Sequence, residues 1–486
     1  DGALGYTVTS KHILFNDSVK ARFGNSADLE IFHDGSNSYI QDSGTGNLSI
    51  CGTQVDIMNP DASEYKARFL TDGAAELYHD NSKKFETTSS GVDVTGRMAI
   101  NDGNNNVLVG DNAGDALTSA SNSVAIGNDA LGTETTNSHN VAIGNSSMSS
   151  TELSAKNVAI GSNTLQNLTN SGSTDTYNVA VGYNAGISMT TGVQNTIMGG
   201  LAGDALTTGD YNIAIGHTAL STEDTGNKSV AIGHQALLNQ NYDGDAINTA
   251  IGHNVGAAIT TGIQNTLIGG LTGDALTTGQ YNVAVGTYAL TNEDTGGRAT
   301  AIGFGALANQ NYDGDSYNVA VGFETGNDIT TGVQNTLIGG LAGDALTTGS
   351  NNVAIGNNAL STEDAHGRNV AVGHNALMTQ NAGSDAYNIA MGYNSGKLIT
   401  TGVENVLIGG SAGDALTTGQ YNIAMGKGAL STEDTGSRNT AIGHAALQQL
   451  NYDGDGYNTA LGFWAGLSVT TGTNNTIIGG LAGDAL

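Results

Sequence analysis

The chain has 486 residues, of which 72 are glycine, one is proline and only 12% are charged. This is far from the usage of an average globular domain. The glycines do not fall every third residue and proline is nearly absent, which excludes a collagen helix. Regularly spaced Val, Ile, Leu and Ala exclude a disordered tract. With 45 acidic against 15 basic residues the formal charge is −30, so a phosphate backbone is repelled and no nucleic-acid partner is expected. Apolar runs stop well short of the ~20 residues of a membrane helix, so no membrane insertion is expected. Cys51 is the one cysteine; it allows no intrachain disulfide framework and reads as a buried structural thiol.

Residues 1–100 read as a β-hairpin-rich module. Ala21-Arg22-Phe23 followed by Leu29-Glu30-Ile31-Phe32-His33-Asp34 recurs 46 residues later as Ala67-Arg68-Phe69 followed by Ala75-Glu76-Leu77-Tyr78-His79-Asp80. Alternating runs broken at His33 to Asn37 and at His79 to Ser82 predict hairpins, and Gly91 to Gly96 predicts a further strand. Short two-stranded pieces are marginal alone, so association of chains is expected. His33 and His79 have no His or Cys at metal spacing and read as turn residues.

Residues 101–486 repeat a different unit, Asn-Val-Ala-Ile-Gly and its variants, 22 times from Asn106 onward. From Gly182 the steps between terminal glycines run 17, 17, 17 and 19, a 70-residue super-repeat of four units. A β-branched run, a glycine, a polar stretch with Ala-Leu and a Thr-Gly or Asp-Gly turn read as strand, turn, short strand, turn. Seventeen residues cannot hold two helices with their loops, so each unit is one coil of an all-β solenoid. At ~4.8 Å per coil, 22 coils make a rod of about 100 Å.

Period-two alternation places Val and Ile on one face of the strand and Asn, Ala and Gly on the other. The first face is expected to fill the coil, and the small face to meet another chain. In every fourth unit the Ala is replaced by Ile197, Leu267, Leu337, Leu407 or Ile477, which predicts a bulky layer in trimer packing. Asn precedes the Val in 19 of 22 units, the exceptions being Ser123, Ser229 and Ala299, and predicts a side-chain ladder up the stack.

Candidate chemistry is sparse. Gly-Gly-Leu-Ala-Gly-Asp-Ala-Leu (339 to 346) returns only every 70 residues, which fails the nine-residue rule of a calcium β-roll. Asp243 and Asp245, Asp313 and Asp315, and Asp453 and Asp455 sit in the 19-residue units as weak cation candidates, but lack the further ligands of a loop. His217, His234 and His253 follow the glycine in three consecutive coils and are expected to stack in a column, a weak metal candidate. Glu223-Asp224, Glu293-Asp294, Glu363-Asp364 and Glu433-Asp434 adjoin in sequence rather than face each other, and read as solvated loops. No nucleophile with a matched base, no P-loop and no cofactor motif appears, so no catalytic residue, no enzyme activity and no cofactor is expected.

Coils such as Asn352 to Leu360 resemble the left-handed parallel β-roll repeats of trimeric autotransporter adhesin heads and related phage tail-fibre proteins. Leu29 to Leu48 and Asp80 to Thr88 look like the tail-fibre shafts of marine bacteriophages. The resemblance implies a homotrimer, rolls packed about a three-fold axis, other virion tail proteins as partners, a host cell-surface receptor, and an extracellular place on the virion. The alternative is a bacterial trimeric surface adhesin binding matrix or glycan through roll loops such as Asn241-Tyr242-Asp243 and Tyr387-Asn388. A sugar-cleaving fibre is a third class, and would need facing carboxylates in a groove.

Overall fold

The computed structural model describes residues 6–8, 12–95 and 103–485. The chain divides into two compact units, Asp1–Ala99 and Ile100–Leu486; the expected boundary at 100–101 lies outside the described residues. No helix occurs among the described residues.

The first unit contains a three-stranded antiparallel sheet (Ala21–Phe23, Leu29–His33, Ser38–Asp42) and a five-stranded antiparallel meander (Gln54–Met58, Tyr65–Leu70, Ala75–His79, Ser82–Thr88, Gly91–Val94). The 46-residue sequence repeat is a repeat of pairing register. Arg22 lies opposite Glu30 and Arg68 opposite Glu76, with Phe23 against Leu29 and Phe69 against Ala75. Glu30 and Glu76 are the two buried acids among the described residues of this unit. Glu30 takes bonds from Lys20 and Arg22, and Glu76 from Tyr78 and Lys83. Apolar residues such as Ile13, Ile31, Ile40, Ile57 and Val92 stay exposed. Cys51, expected to be buried, is exposed as well.

The second unit is a parallel β-solenoid. Twenty-two strands, from Val107–Val109 to Thr476–Ile478, form one sheet in which each residue pairs with its equivalent in the next coil; Val353, Ala354 and Ile355, for example, pair with Val370, Ala371 and Val372. Identical registers follow from identical sequence, and parallel in-register stacking satisfies each strand's backbone groups above and below. The terminal glycine is obligatory at this spacing. Gly356 has φ +134°, and a Cβ there would stand 2.5 Å from the Gly373 carbonyl oxygen.

Two expectations are corrected. The strands of this sheet are three residues long, and away from it most coils are turns; a second strand forms in two coils, Glu152–Ala155 and Thr169–Asp175, which pair in parallel. Asn358 and Leu360 adopt left-handed backbone (φ 55° and 53°), and the coils are joined there by bonds such as Leu360 N to Ala376 O at 3.0 Å.

The faces are also reversed. The middle strand residue points into the coil and its neighbours point out: Ala354 is fully buried while Val353 and Ile355 are half exposed. Ile197, Leu267, Leu337, Leu407 and Ile477 therefore lie in the core of a single chain, not in an interface between chains. Their size is compensated inside the coil. A Cβ on Gly326 or Gly343 would stand 2.8 or 2.9 Å from Leu337, and other coils put Leu at that turn position and Ala in the strand, as with Ala354 and Leu360. The space between the strand and the facing turn position is narrow, so one large side chain from either of those two places fills it.

Candidate functional site

The reversed strand leaves two outward columns that run the length of the sheet, one of Val, Ile or Thr and one of Ile, Val, Met or Leu. Ile268, Ile338, Met391 and Leu461 are 37%, 38%, 42% and 45% exposed in the single chain. A continuous apolar stripe of this length is unusual on a monomer's surface.

Behind the stripe, the asparagine ladder is buried and bonds mainly to backbone. Asn265 Oδ1 accepts from Asn282 N (3.0 Å), and its Nδ2 donates to Gly279 O (2.9 Å) and Asn248 Oδ1 (3.3 Å). Each amide thus ties three coils together. The 19-residue coils break this pattern, because two inserted residues displace the carbonyl that the amide would reach. Ser229 and Ala299 occur there, while Asn369 keeps its amide and leaves Nδ2 buried without a partner. In the first coil Gln240 fills the gap, donating to Ser229 Oγ at 2.9 Å and accepting from Asn248 Nδ2 at 2.9 Å. Nothing in the structure explains Ser123.

Glu223, Glu293, Glu363 and Glu433 are not solvated: all four are fully buried. They occupy an interior position filled in other coils by Met189, Leu206, Ile259 or Leu276. Glu223 accepts from Gly226 N (2.7 Å) and Gln240 Nε2 (2.9 Å), and Glu433 from Gly436 N (2.7 Å) and Tyr452 N (3.1 Å). Burial pushes the carboxyls of Glu223, Glu363 and Glu433 above the usual range. Aligning the repeats on their glycines would have revealed this column, since Ile259, Leu276, Glu293 and Gln310 follow one another in it and the order then repeats.

The weak cation candidates serve as clips between coils. Asp245 pairs with Lys228 (2.5 Å), Asp315 with Arg298 and Asp455 with Arg438. Asp243, Asp313 and Asp453 accept from Thr225, Thr295 and Thr435 at 2.7, 3.0 and 2.8 Å. Arg298 lies between the rings of Tyr281 and Tyr317, 5.0 and 5.8 Å from their centroids. Of the loop residues named for an adhesin surface, Tyr387 is exposed and Asn388 is buried in the ladder.

His217, His234 and His253 form an exposed column of near-parallel rings, 5.6 and 5.2 Å apart. Equivalent nitrogens of parallel rings lie as far apart as the rings, too far to share an ion with bonds of about 2 Å. Among the described residues one group brings possible ligand atoms together: Glu363, Asp364 and His366. Sequence reasoning missed it; the signal is that His366 stands where sister coils have Gly226, Gly296 and Gly436.

No family model matches the chain, and no curated protein matches it.

Proposed function

We propose that the chain is a structural segment of an extended homotrimeric fibre, a viral tail fibre that presents host-attachment surfaces. The observation that carries this reading is the unpartnered stripe of Val and Ile along the solenoid. At ~4.8 Å per coil and about 10 Å of width the stripe amounts to on the order of 1,000 Å² per chain, the size of a stable interface. Two further copies, in the same direction and register, would cover it with identical columns, a heterologous contact that closes about a three-fold axis. The exposed apolar residues of the first unit, Ile40 and Ile57 among them, call for the same cover. The left-handed roll and the virion location rest on the resemblance of Asn352 to Leu360 and of Leu29 to Leu48 to tail-fibre sequences.

Sedimentation of the purified chain tests the reading. A trimer that Ile338→Asp together with Ile268→Asp converts to monomer supports it, and a wild-type monomer at micromolar concentration overturns it. The second reading, a bacterial surface adhesin, is favoured by the exposed ring column, and a coding gene lying beside capsid and tail genes would exclude it.

A further inference from the structure

The ring column interrupts itself at a fixed interval. The residue after the terminal glycine is exposed in most coils, and in every fourth coil it is a second glycine, Gly200, Gly270, Gly340, Gly410 or Gly480, of which the first four are half-buried and have a coil on either side. None of the four has positive φ. A Cβ on Gly410 would meet nothing within 4 Å, and on the other three nothing closer than 3.5 Å. Neither backbone conformation nor packing within the chain requires glycine at these places.

The rungs on either side differ consistently. The rung before each glycine carries a ring, Tyr183, His253, Phe323 or Tyr393, and the rung after it a hydrogen-bonding side chain, His217, Thr287, Asn357 or Lys427. Tyr183, Phe323 and Tyr393 are 60%, 54% and 61% exposed. His253, Phe323 and Tyr393 each stack one face on the preceding rung, at 5.2, 5.6 and 5.5 Å, and their other face opens onto the glycine. Asn357 donates its amide to Gly340 O at 2.9 Å, which leaves its side-chain oxygen to accept.

We infer that each of these four notches, with a ring for one wall, a polar side chain for the other and a glycine floor, binds one sugar ring of an uncharged glycan. The two rungs are about 10 Å apart, room for one pyranose between them. Its C–H face lies on the aromatic wall, and its hydroxyl edge meets the polar one. A second copy of the chain is a poorer occupant, because an apolar side chain would leave the polar wall unpaired. The −30 charge disfavours acidic polysaccharides. Four coils separate successive notches by about 19 Å, so a long glycan engages several at once and gains by avidity.

The test uses the purified full chain in its native assembly, titrated with uncharged hexasaccharides of glucose, galactose, mannose and N-acetylglucosamine, and with a polyuronate as the acidic control. The fill variant carries Gly200→Asn, Gly270→Asn, Gly340→Asn and Gly410→Asn, Asn being the residue of this column at Asn128 and Asn145. A second variant carries Tyr183→Asn, Phe323→Asn and Tyr393→Asn. Binding of at least one neutral sugar, weakened about tenfold or more in both variants with assembly mass unchanged, is expected. No binding by any neutral sugar, equal binding by the fill variant, or binding of the polyuronate alone overturns the inference. Loss of assembly mass in the fill variant also overturns it, and makes a second copy the occupant. A wild-type monomer that binds sugar would sink the fibre reading alone, and a trimer that binds none would sink this one alone.

Discussion

Leu337→Ala tests the reversed faces of the coil. The substitution removes three carbons from a fully buried side chain, a transfer loss of about 2.4 kcal/mol at ~0.8 per carbon. The space left is lined by Gly326 and Gly343, whose missing side chains cannot move in to fill it, so a cavity cost raises the total to about 3–4 kcal/mol. Gly343→Leu alone overpacks, because its Cβ would stand 2.9 Å from both Leu337 and Leu346, at a cost of about 1–3 kcal/mol. The double variant reproduces the arrangement of Ala441, Leu447 and Leu450, all buried in one coil, and should recover most of the loss. A stacked array need not unfold in one step, so amide exchange is the assay. The amides of Thr336 and Gly339, which donate to Asn352 O and Val321 O, should exchange on the order of several hundred-fold faster in Leu337→Ala, and near the wild-type rate in the double variant. Unchanged exchange together with a smaller assembly would place Leu337 between chains and refute the reasoning.

Asn265→Ala strands Asn282 N and Gly279 O inside the stack and should lower local stability by about 2–4 kcal/mol, read by exchange at those coils; a loss below about 0.5 kcal/mol would reduce the ladder to a turn preference. Asp344 is pushed up to about 6, chiefly by burial with Asp328 and Glu324 adding repulsion. A folded value above the ordinary 3.8 means that stability is fully present below that value and is lost as pH rises through about 6. Asp344→Asn should therefore match wild type at pH 3.5 and exceed it at pH 8 in thermal unfolding, and the reverse order would contradict the assignment. Glu223, Glu363 and Glu433 act in the same direction, so the wild-type solenoid should be less stable at pH 8 than at pH 5. Because Asp245, Asp315 and Asp455 already pair with Lys or Arg, millimolar calcium or EDTA should leave the melting temperature unchanged; a shift of several degrees would reopen the cation reading.

The coil and its period were legible because one glycine per unit marks the phase, and spacings of 17 and 19 allow little but a solenoid. The direction of the faces was not. Alternation gives the same pattern whichever side is inside, and Val and Ile are the more apolar pair, so hydropathy favoured the wrong side. What decides is wall-to-wall distance: Ala354 faces Leu from the opposite turn, and Leu337 faces glycine. The buried acids were hidden for a related reason. Glu223 sits within Ser-Thr-Glu-Asp-Thr-Gly, a polar run that reads as solvent-facing, and only its equivalence to Ile259 places it inside. Among the candidate sites, the clips of Asp245 and Asp315 needed the stacking register, which brings Lys228 and Arg298 beside them.

Native mass of the purified full chain, with and without Ile268→Asp and Ile338→Asp, tests the central claim most directly. The account predicts a stable trimer for wild type and a folded monomer for the variant, because both side chains lie on the outer stripe and neither touches the coil interior. A wild-type monomer, or a trimer that both charged substitutions leave intact, would contradict it.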